Sequence, residues 1–245
     1  MKKNKKILIT GATGFIGSYI TELFVKKGFK VKAFDKYNSN YQLNCLEKSF
    51  YKKDIEFIFG DIRDYDSVFN ATKSCDIIFH LAAESHVDTS ISSPENFIKS
   101  NILGTFNLLE ATRQFFKESD LINTNILRSC HNHDVEKVVV IGSTCMYPNV
   151  VEEYPMKEEQ LFSGAPPNEN FAYAMSKRLM ITQVNSYVSQ YDKKWSCLIP
   201  CNLYGEYDKY EEHHSHFVSA LIKKIHEAQH SVDIWGTGKP LRQFI

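Results

Sequence analysis

The chain has 245 residues, is 43% hydrophobic, and carries 29 basic and 29 acidic side chains that balance to a formal net charge of zero. That length holds one large α/β domain, or one domain with a small second lobe, and the apolar content suits a buried core. A balanced net charge excludes a strongly basic chain and gives no reason to expect nucleic acid or a membrane surface as a partner.

The basic start, Lys2-Lys-Asn-Lys-Lys6, has the look of a signal head, but the apolar run behind it, Ile7-Leu-Ile9, is broken at once by Thr10-Gly11. It is too short for a signal or a spanning helix, and a cytoplasmic location is the expectation. Cys45, Cys75, Cys130, Cys145, Cys197 and Cys201 form no Cys-x-x-Cys pair and read as free thiols.

Residues 7–10 form the first predicted strand. Gly11-Ala-Thr-Gly14-Phe15-Ile16-Gly17 follows, then a helical pattern through Ile20, Leu23 and Phe24. Strand, glycine turn and helix in that order let backbone amides at a helix start meet a pyrophosphate, the plainer reading being a simple connection. The second strand, 31–34, ends at Asp35, where an acidic residue bonds the adenosine ribose of NAD and repels a 2′-phosphate. Lys36 beside it is an opposing signal toward NADP, and a plain strand-end turn is the alternative.

The third strand, 55–59, closes on Gly60-Asp61-Ile62-Arg63, and the fourth, 77–81, runs through Leu81 into Ala82-Ala83. Small residues there let the backbone pass close to a cofactor. Near-continuous apolar strands separated by helical patterns predict a parallel sheet covered on both faces.

A helix is predicted over 97–112. Where the next strand is due, a second helix over about 120–131 comes first. Its lead-in from Phe116 echoes the first copy, as if one helical element were present twice. The fifth strand, 138–141, delivers Gly142-Ser143-Thr144-Cys145 to the carboxyl edge of the sheet, where open α/β folds bind ligands.

An irregular loop with Pro155, Gly164, Pro166 and Pro167 leads to a helix over 170–191 with a core stripe of Met180, Val184, Tyr187, Val188 and Tyr191. On that helix Tyr173 and Lys177 are four apart and share a face. A phenol titrates near pH ~10 and an ammonium near ~10.4, so the pair is expected to favour the phenolate. A sixth strand over 196–199, a charged loop, a helix over 215–229 and Trp235-Gly-Thr-Gly-Lys-Pro-Leu-Arg242 complete the chain.

Ser143, Tyr173 and Lys177 together resemble the Ser–Tyr–Lys set of short-chain dehydrogenase/reductases. From Gly142 onward the chain resembles the GDP-L-fucose synthases, extended members of that group in the NAD-dependent epimerase/dehydratase superfamily. The matching pieces are Ser143-Thr-Cys145-Met-Tyr-Pro148, Asn170-Phe-Ala-Tyr173-Ala-Met-Ser-Lys177, Ile199-Pro-Cys-Asn202-Leu-Tyr-Gly205, Ser215-His216-Phe-Val218 and the Trp235–Arg242 motif. The resemblance implies a GDP-linked 4-keto-6-deoxy-mannose as substrate and NADPH as reductant. Cys145 and His216 become the epimerising acid/base pair, with Ser143, Tyr173 and Lys177 as the reducing triad. Asn202, Trp235 and Arg242 would lie near the nucleotide-sugar. It also implies a homodimer through the helices at 94–113 and 170–191. A thiol and an imidazole titrate near enough to neutral for such proton transfers.

Before about residue 113, His80-Leu-Ala-Ala-Glu-Ser-His86-Val-Asp-Thr-Ser-Ile91 and Asn101-Ile-Leu-Gly-Thr105 resemble the nucleotide-sugar 4,6-dehydratases, which hold NAD. Those carry Asp-Glu after the catalytic Ser/Thr; Thr144-Cys145 stands here, so dehydration is not expected. The two halves suggest a fusion near the doubled helix, and the stop at Ile245 suggests a piece of a longer enzyme. The expected architecture is a Rossmann-like doubly wound parallel sheet in an NAD(P)-binding domain over 1–200, with a small, truncated substrate lobe over 201–245.

For single residues the plainer readings are a buried inert thiol for Cys145, packing for Trp235, core for Cys197 and helix-end contacts for His131 and His133. The spacing in Glu211-Glu-His213-His214-Ser-His216 fits no common zinc site. Cofactor choice stays open, Asp35 pointing to NAD and the resemblance to NADPH. The alternatives to a GDP-L-fucose-synthase-like epimerase/reductase are another nucleotide-sugar enzyme of this superfamily and a cofactor-binding module without turnover.

Overall fold

The computed structural model describes residues 5–37, 42–85, 93–117, 135–151, 153–210, 215–234, 236–238 and 243–245. The second copy of the predicted doubled helix, 120–131, lies outside them, as do Trp235, His213, His214 and Arg242. The chain divides into two units, Met1–Leu198 and Ile199–Ile245.

The first unit is built on six parallel strands: β1 (Lys6–Thr10), β2 (Lys30–Asp35), β3 (Ile55–Phe59), β4 (Ile77–His80), β5 (Lys137–Ile141) and β6 (Ser196–Leu198). They lie in the order β3-β2-β1-β4-β5-β6, so the winding direction reverses between β1 and β4. This is the Rossmann-like doubly wound arrangement, which opens a crevice beyond the carboxyl ends of those two strands. The register fixes the crevice floor, pairing Thr10 with Phe34 on one side and with His80 on the other.

Alternate β1 residues serve opposite faces, as the strand period demands. Leu8 joins Phe34, Ile78, Val138 and Val140 beneath the helices α2 (Tyr65–Thr72), α4 (Gly104–Lys117) and α5 (Phe171–Tyr191). Ile7 and Ile9 join Val31, Ala33, Ile55 and Ile77 against α1 (Phe15–Lys26) and the turn carrying Leu43 and Leu46. The predicted stripe of α5 packs accordingly, with Met180 and Val184 in the first cluster and Tyr187 and Val188 against it.

The helix predicted over 97–112 is not one regular helix. A short α3 (Pro94–Phe97) passes into a π-helical turn over Ile98–Leu103 before α4 begins. Widening the helix there turns Asn101 inward, where it is fully buried.

In the second unit, α6 (Phe217–Glu227) follows the 199–210 segment, and the last residues return to it. Asn202 bridges to Phe244, Ile245 N–H donates to the Asn202 carbonyl at 3.0 Å, and Phe217 stacks on Phe244.

Candidate active site

The glycine turn is shaped by close approach. Gly11 has φ +70, and a Cβ on it would lie 2.8 Å from the Ala82 nitrogen; one on Gly17 would lie 2.0 Å from the Gly11 carbonyl oxygen. Only glycine fits either place. The exit of β4 presses on this turn, with Leu81 N–H donating to the Thr10 carbonyl and Ala82 N–H to Thr10 Oγ1. Ala83 continues that exit, half-buried. Gly14 precedes α1, and among the described residues no side chain caps the helix. The first amides, at Phe15, Ile16 and Gly17, therefore suit a pyrophosphate, and the turn fits a dinucleotide.

Asp35 is committed to this turn as well as placed at the end of β2. Its Oδ2 accepts from Thr13 N–H at 2.7 Å and from Thr13 Oγ1 at 2.6 Å, while Oδ1 accepts from Lys36 N–H at 2.8 Å. Asn44 Nδ2 donates to Thr13 Oγ1, and Cys45 N–H to the Thr13 carbonyl. A carboxylate offers about four acceptor positions, so one remains for a single ribose hydroxyl. Asp61, after β3, is held by Arg63, whose Nε lies 2.9 Å from Oδ1, and that guanidinium keeps its carboxyl below the usual range. Ile62 beside it is buried against Gly104.

On the other side of the crevice, β5 ends at Ile141 and Gly142 N–H donates to the Leu198 carbonyl. Ser143 is extended and accepts from Cys145 N–H at 3.2 Å, starting a 3₁₀ turn over Thr144–Met146 that carries Cys145. α5 brings up Tyr173 and Lys177 on one face. Lys177 Nζ is 5.9 Å from the Tyr173 ring centroid and donates to the Ile141 carbonyl at 3.0 Å.

The expected acidification of Tyr173 does not occur in this environment. Burial pushes the phenol up to about 12, with the nearby Ser143 hydroxyl opposing and the neighbouring Cys145 adding to the rise. Lys177 is itself fully enclosed, and burial lowers it to about 8. Desolvation outweighs the phenol–ammonium pairing that the i, i+4 spacing suggests. Cys197, near Lys177, is only partly buried and belongs to neither apolar cluster, contrary to the core reading, and what burial it has pushes its thiol up to about 11.

Three polar residues behind the site, quoted from the sequence only for their resemblance to the 4,6-dehydratases, bond one another in the fold. His80 is fully buried, and burial, helped by Lys177, lowers it to about 3. Thr105 Oγ1 donates to the Asn101 carbonyl at 2.6 Å, so it accepts from His80 Nε2–H, leaving Nδ1 to accept from Thr10 Oγ1. Asn101 in turn accepts from Glu84 N–H and donates to the Glu84 carbonyl and to Ser176 Oγ. The glycine turn, the β4 exit and the Tyr173 helix are thus joined by one buried network. The sequence places these residues in the motifs at 80–91 and 101–105, and carries no sign that they bond one another.

In the second unit Asn202 Nδ2 donates to the Gln243 carbonyl, and His216 Nδ1 lies 3.1 Å from Asp208 Oδ1. Among the described residues no His/Cys/Asp/Glu group is arranged to hold a metal ion.

The sequence model of the NAD dependent epimerase/dehydratase family matches residues 7–245. The chain belongs to that family. Among its relatives, the GDP-L-fucose synthase of Escherichia coli K12 is 36% identical over 135 residues, covering 54% of this chain and 42% of that protein. The GDP-L-fucose synthase of Dictyostelium discoideum is 32% identical over 181 residues, covering 73% of this chain and 56% of that protein. The chain therefore spans about half the length of these two relatives. Among solved structures, the UDP-N-acetylglucosamine 4-epimerase of Methanobrevibacter ruminantium M1, in complex with UDP-N-acetylmuramic acid, superposes with a TM-score of 0.80 at 24% identity. It covers 100% of this chain and 69% of its own, a likeness of fold.

Proposed function

We propose that this member of the epimerase/dehydratase family is an NAD(P)-dependent nucleotide-sugar epimerase/reductase of the GDP-L-fucose-synthase type, acting on GDP-4-keto-6-deoxy-mannose. The observation that carries the reading is the 143–145 turn. It sets Ser143 against Tyr173 and puts Cys145 two residues along the same turn. Cys145 and His216 are the acid/base pair that inverts carbons beside the ketone. Ser143 holds the ketone oxygen and Tyr173 protonates it. Lys177 orients the reacting groups from below, and Asn202, Trp235 and Arg242 bind the nucleotide-sugar. The reduced nicotinamide, when bound, supplies hydride to the ketone carbon. Gly11, Gly14, Phe15, Ile16 and Gly17 hold its pyrophosphate. Asp35, Asp61, Ile62, Leu81, Ala82 and Ala83 line the remainder of the dinucleotide groove.

The deciding experiment incubates the protein with GDP-4-keto-6-deoxy-mannose and either NADH or NADPH, follows loss of nicotinamide absorbance, and identifies the sugar. Oxidation of the cofactor with formation of a GDP-6-deoxyhexose is expected; an unchanged sugar sinks the reading. The Asp35 contacts support NADH as the better reductant. A second reading, an NAD-dependent 4-epimerase of another nucleotide-sugar, is favoured by that same carboxylate, and would show as sugar inversion without net cofactor oxidation.

A homodimer is part of the proposal. Ile98, Leu103 and Phe106 on one helical segment and Met175 and Leu179 on α5 are large apolar side chains left exposed, a surface suited to a second copy. Among the described residues no helix is long and apolar enough to cross a membrane.

A further inference from the structure

We infer that Asp208 is the positioning residue of His216, fixing the imidazole with Nδ1 as its donor nitrogen and presenting Nε2 as the atom that exchanges protons. The inference rests on the acid/base role proposed for His216 and adds a second residue to that half of the chemistry.

Asp208 is nearly inaccessible: its side chain is 2% exposed, whereas that of His216 is 71% exposed. A carboxylate withdrawn from water needs donors for its oxygens, because an uncompensated buried charge is costly. Here they are supplied locally. Lys209 N–H donates to Oδ1 at 2.8 Å, Ser219 Oγ donates to Oδ2, and the ring nitrogen Nδ1 of His216 approaches Oδ1 at 3.1 Å. Among the described residues no lysine or arginine pairs with it.

An ionised carboxylate can only accept, so the nitrogen facing it must carry the proton. A neutral ring then has its lone pair on Nε2, for which the described residues provide no partner. Position is fixed as tightly as tautomer. His216 is the residue before α6 and its carbonyl accepts from Ala220 N–H at 2.9 Å, while Ser219, in the first turn of the same helix, grips the carboxylate from the other side. The positive end of α6 adds a favourable field for the anion. A carboxylate serving only to start the helix would need the Ser219 and backbone contacts, not the imidazole.

The test reads the tautomer directly, by two-bond ¹H–¹⁵N spectra of protein labelled at histidine, taken where the ring is neutral. Wild type should show His216 protonated on Nδ1; an Nε2–H ring overturns the inference without any variant. In Asp208→Asn the amide can turn either a donor or an acceptor to the ring, so a tautomer mixture is expected. Solvent-deuterium exchange into GDP-4-keto-6-deoxy-mannose should fall about 10- to 100-fold, the range seen when a metal-bound histidine loses its supporting partner. NADH binding, which uses the first unit, should be unchanged. Exchange at the wild-type rate in Asp208→Asn overturns the inference. Should that variant fail to fold, Ser219→Ala keeps the carboxylate, and is expected to retain the Nδ1–H form with a smaller loss of exchange. A wild-type protein with the Nδ1–H form that exchanges no deuterium overturns the catalytic role of His216 and leaves its anchoring by Asp208 standing.

Discussion

Tyr173 suits one direction of chemistry better than the other. With its phenol pushed up to about 12, it is protonated throughout the neutral range, and a protonated phenol gives a proton to a ketone oxygen as hydride arrives at the carbon. The pairing read from the sequence suggests a phenolate ready to take a proton; burial instead keeps Tyr173 in its protonated, hydrogen-bond-donating form. Tyr173→Phe removes only that oxygen, so cofactor oxidation should fall by roughly 10²- to 10⁴-fold, the usual share of a positioned acid. Deuterium exchange into the ketosugar should persist, because it does not use Tyr173. Cys145→Ser should give the reverse, with exchange suppressed and reduction of an already epimerised ketosugar largely retained. Measuring both rates on both variants separates the two roles; parallel loss of both activities in either variant contradicts the division of labour.

At the level of elements, the glycine turn and the end of β2 act as one piece because Thr13 gives two donors to the same oxygen of Asp35. Thr13→Val keeps the shape and the backbone donor but frees the carboxylate to rotate. NADH affinity, read by fluorescence titration, should weaken several-fold while NADPH affinity stays nearly constant; equal weakening of both would make the clamp merely structural. On the opposite side, Leu179→Glu places a charge in the exposed apolar stripe; light scattering should find dimers for wild type and monomers for the variant, and a monomeric wild type would overturn the proposed dimer.

The sheet was legible because its strands are buried on both faces and read as unbroken apolar runs, such as Val138-Val-Val-Ile141. The glycine turn, Asp35 and the Tyr173–Lys177 pair were legible because each sits at a fixed offset from a strand or helix. The π-helical turn was not: Asn101 falls inside an apolar helical pattern, and nothing local announces that its amide will bond the Glu84 backbone. His80 likewise closes an apolar strand, and its two threonine partners are distant in sequence. Desolvation escaped for the same reason, since burial belongs to the assembled fold.

For the first unit taken whole, two apolar clusters on opposite faces of the sheet supply the stability, and Lys177 works against them. The residue is 5% exposed, its ammonium donates to the Ile141 carbonyl, and burial lowers it to about 8 from an unfolded value near ~10.4. Between those two values the unfolded chain binds a proton that the folded one has released. Stability of the cofactor-free protein therefore rises with pH in that window, and the penalty is fully present below about pH 8. The gain amounts to roughly 2 kcal/mol between pH 8 and 10. Tyr173 opposes it only above about pH 10, where its raised value keeps a proton the unfolded phenol has lost. In Lys177→Met no charge is buried, and an apolar side chain of similar length fills the space. That variant should be more stable than wild type at pH 7, and the difference should shrink by about 2 kcal/mol as pH approaches 10. Urea unfolding of both proteins at several pH values measures it. Parallel pH profiles would mean that the Lys177 ammonium is not paying a desolvation penalty in the folded protein.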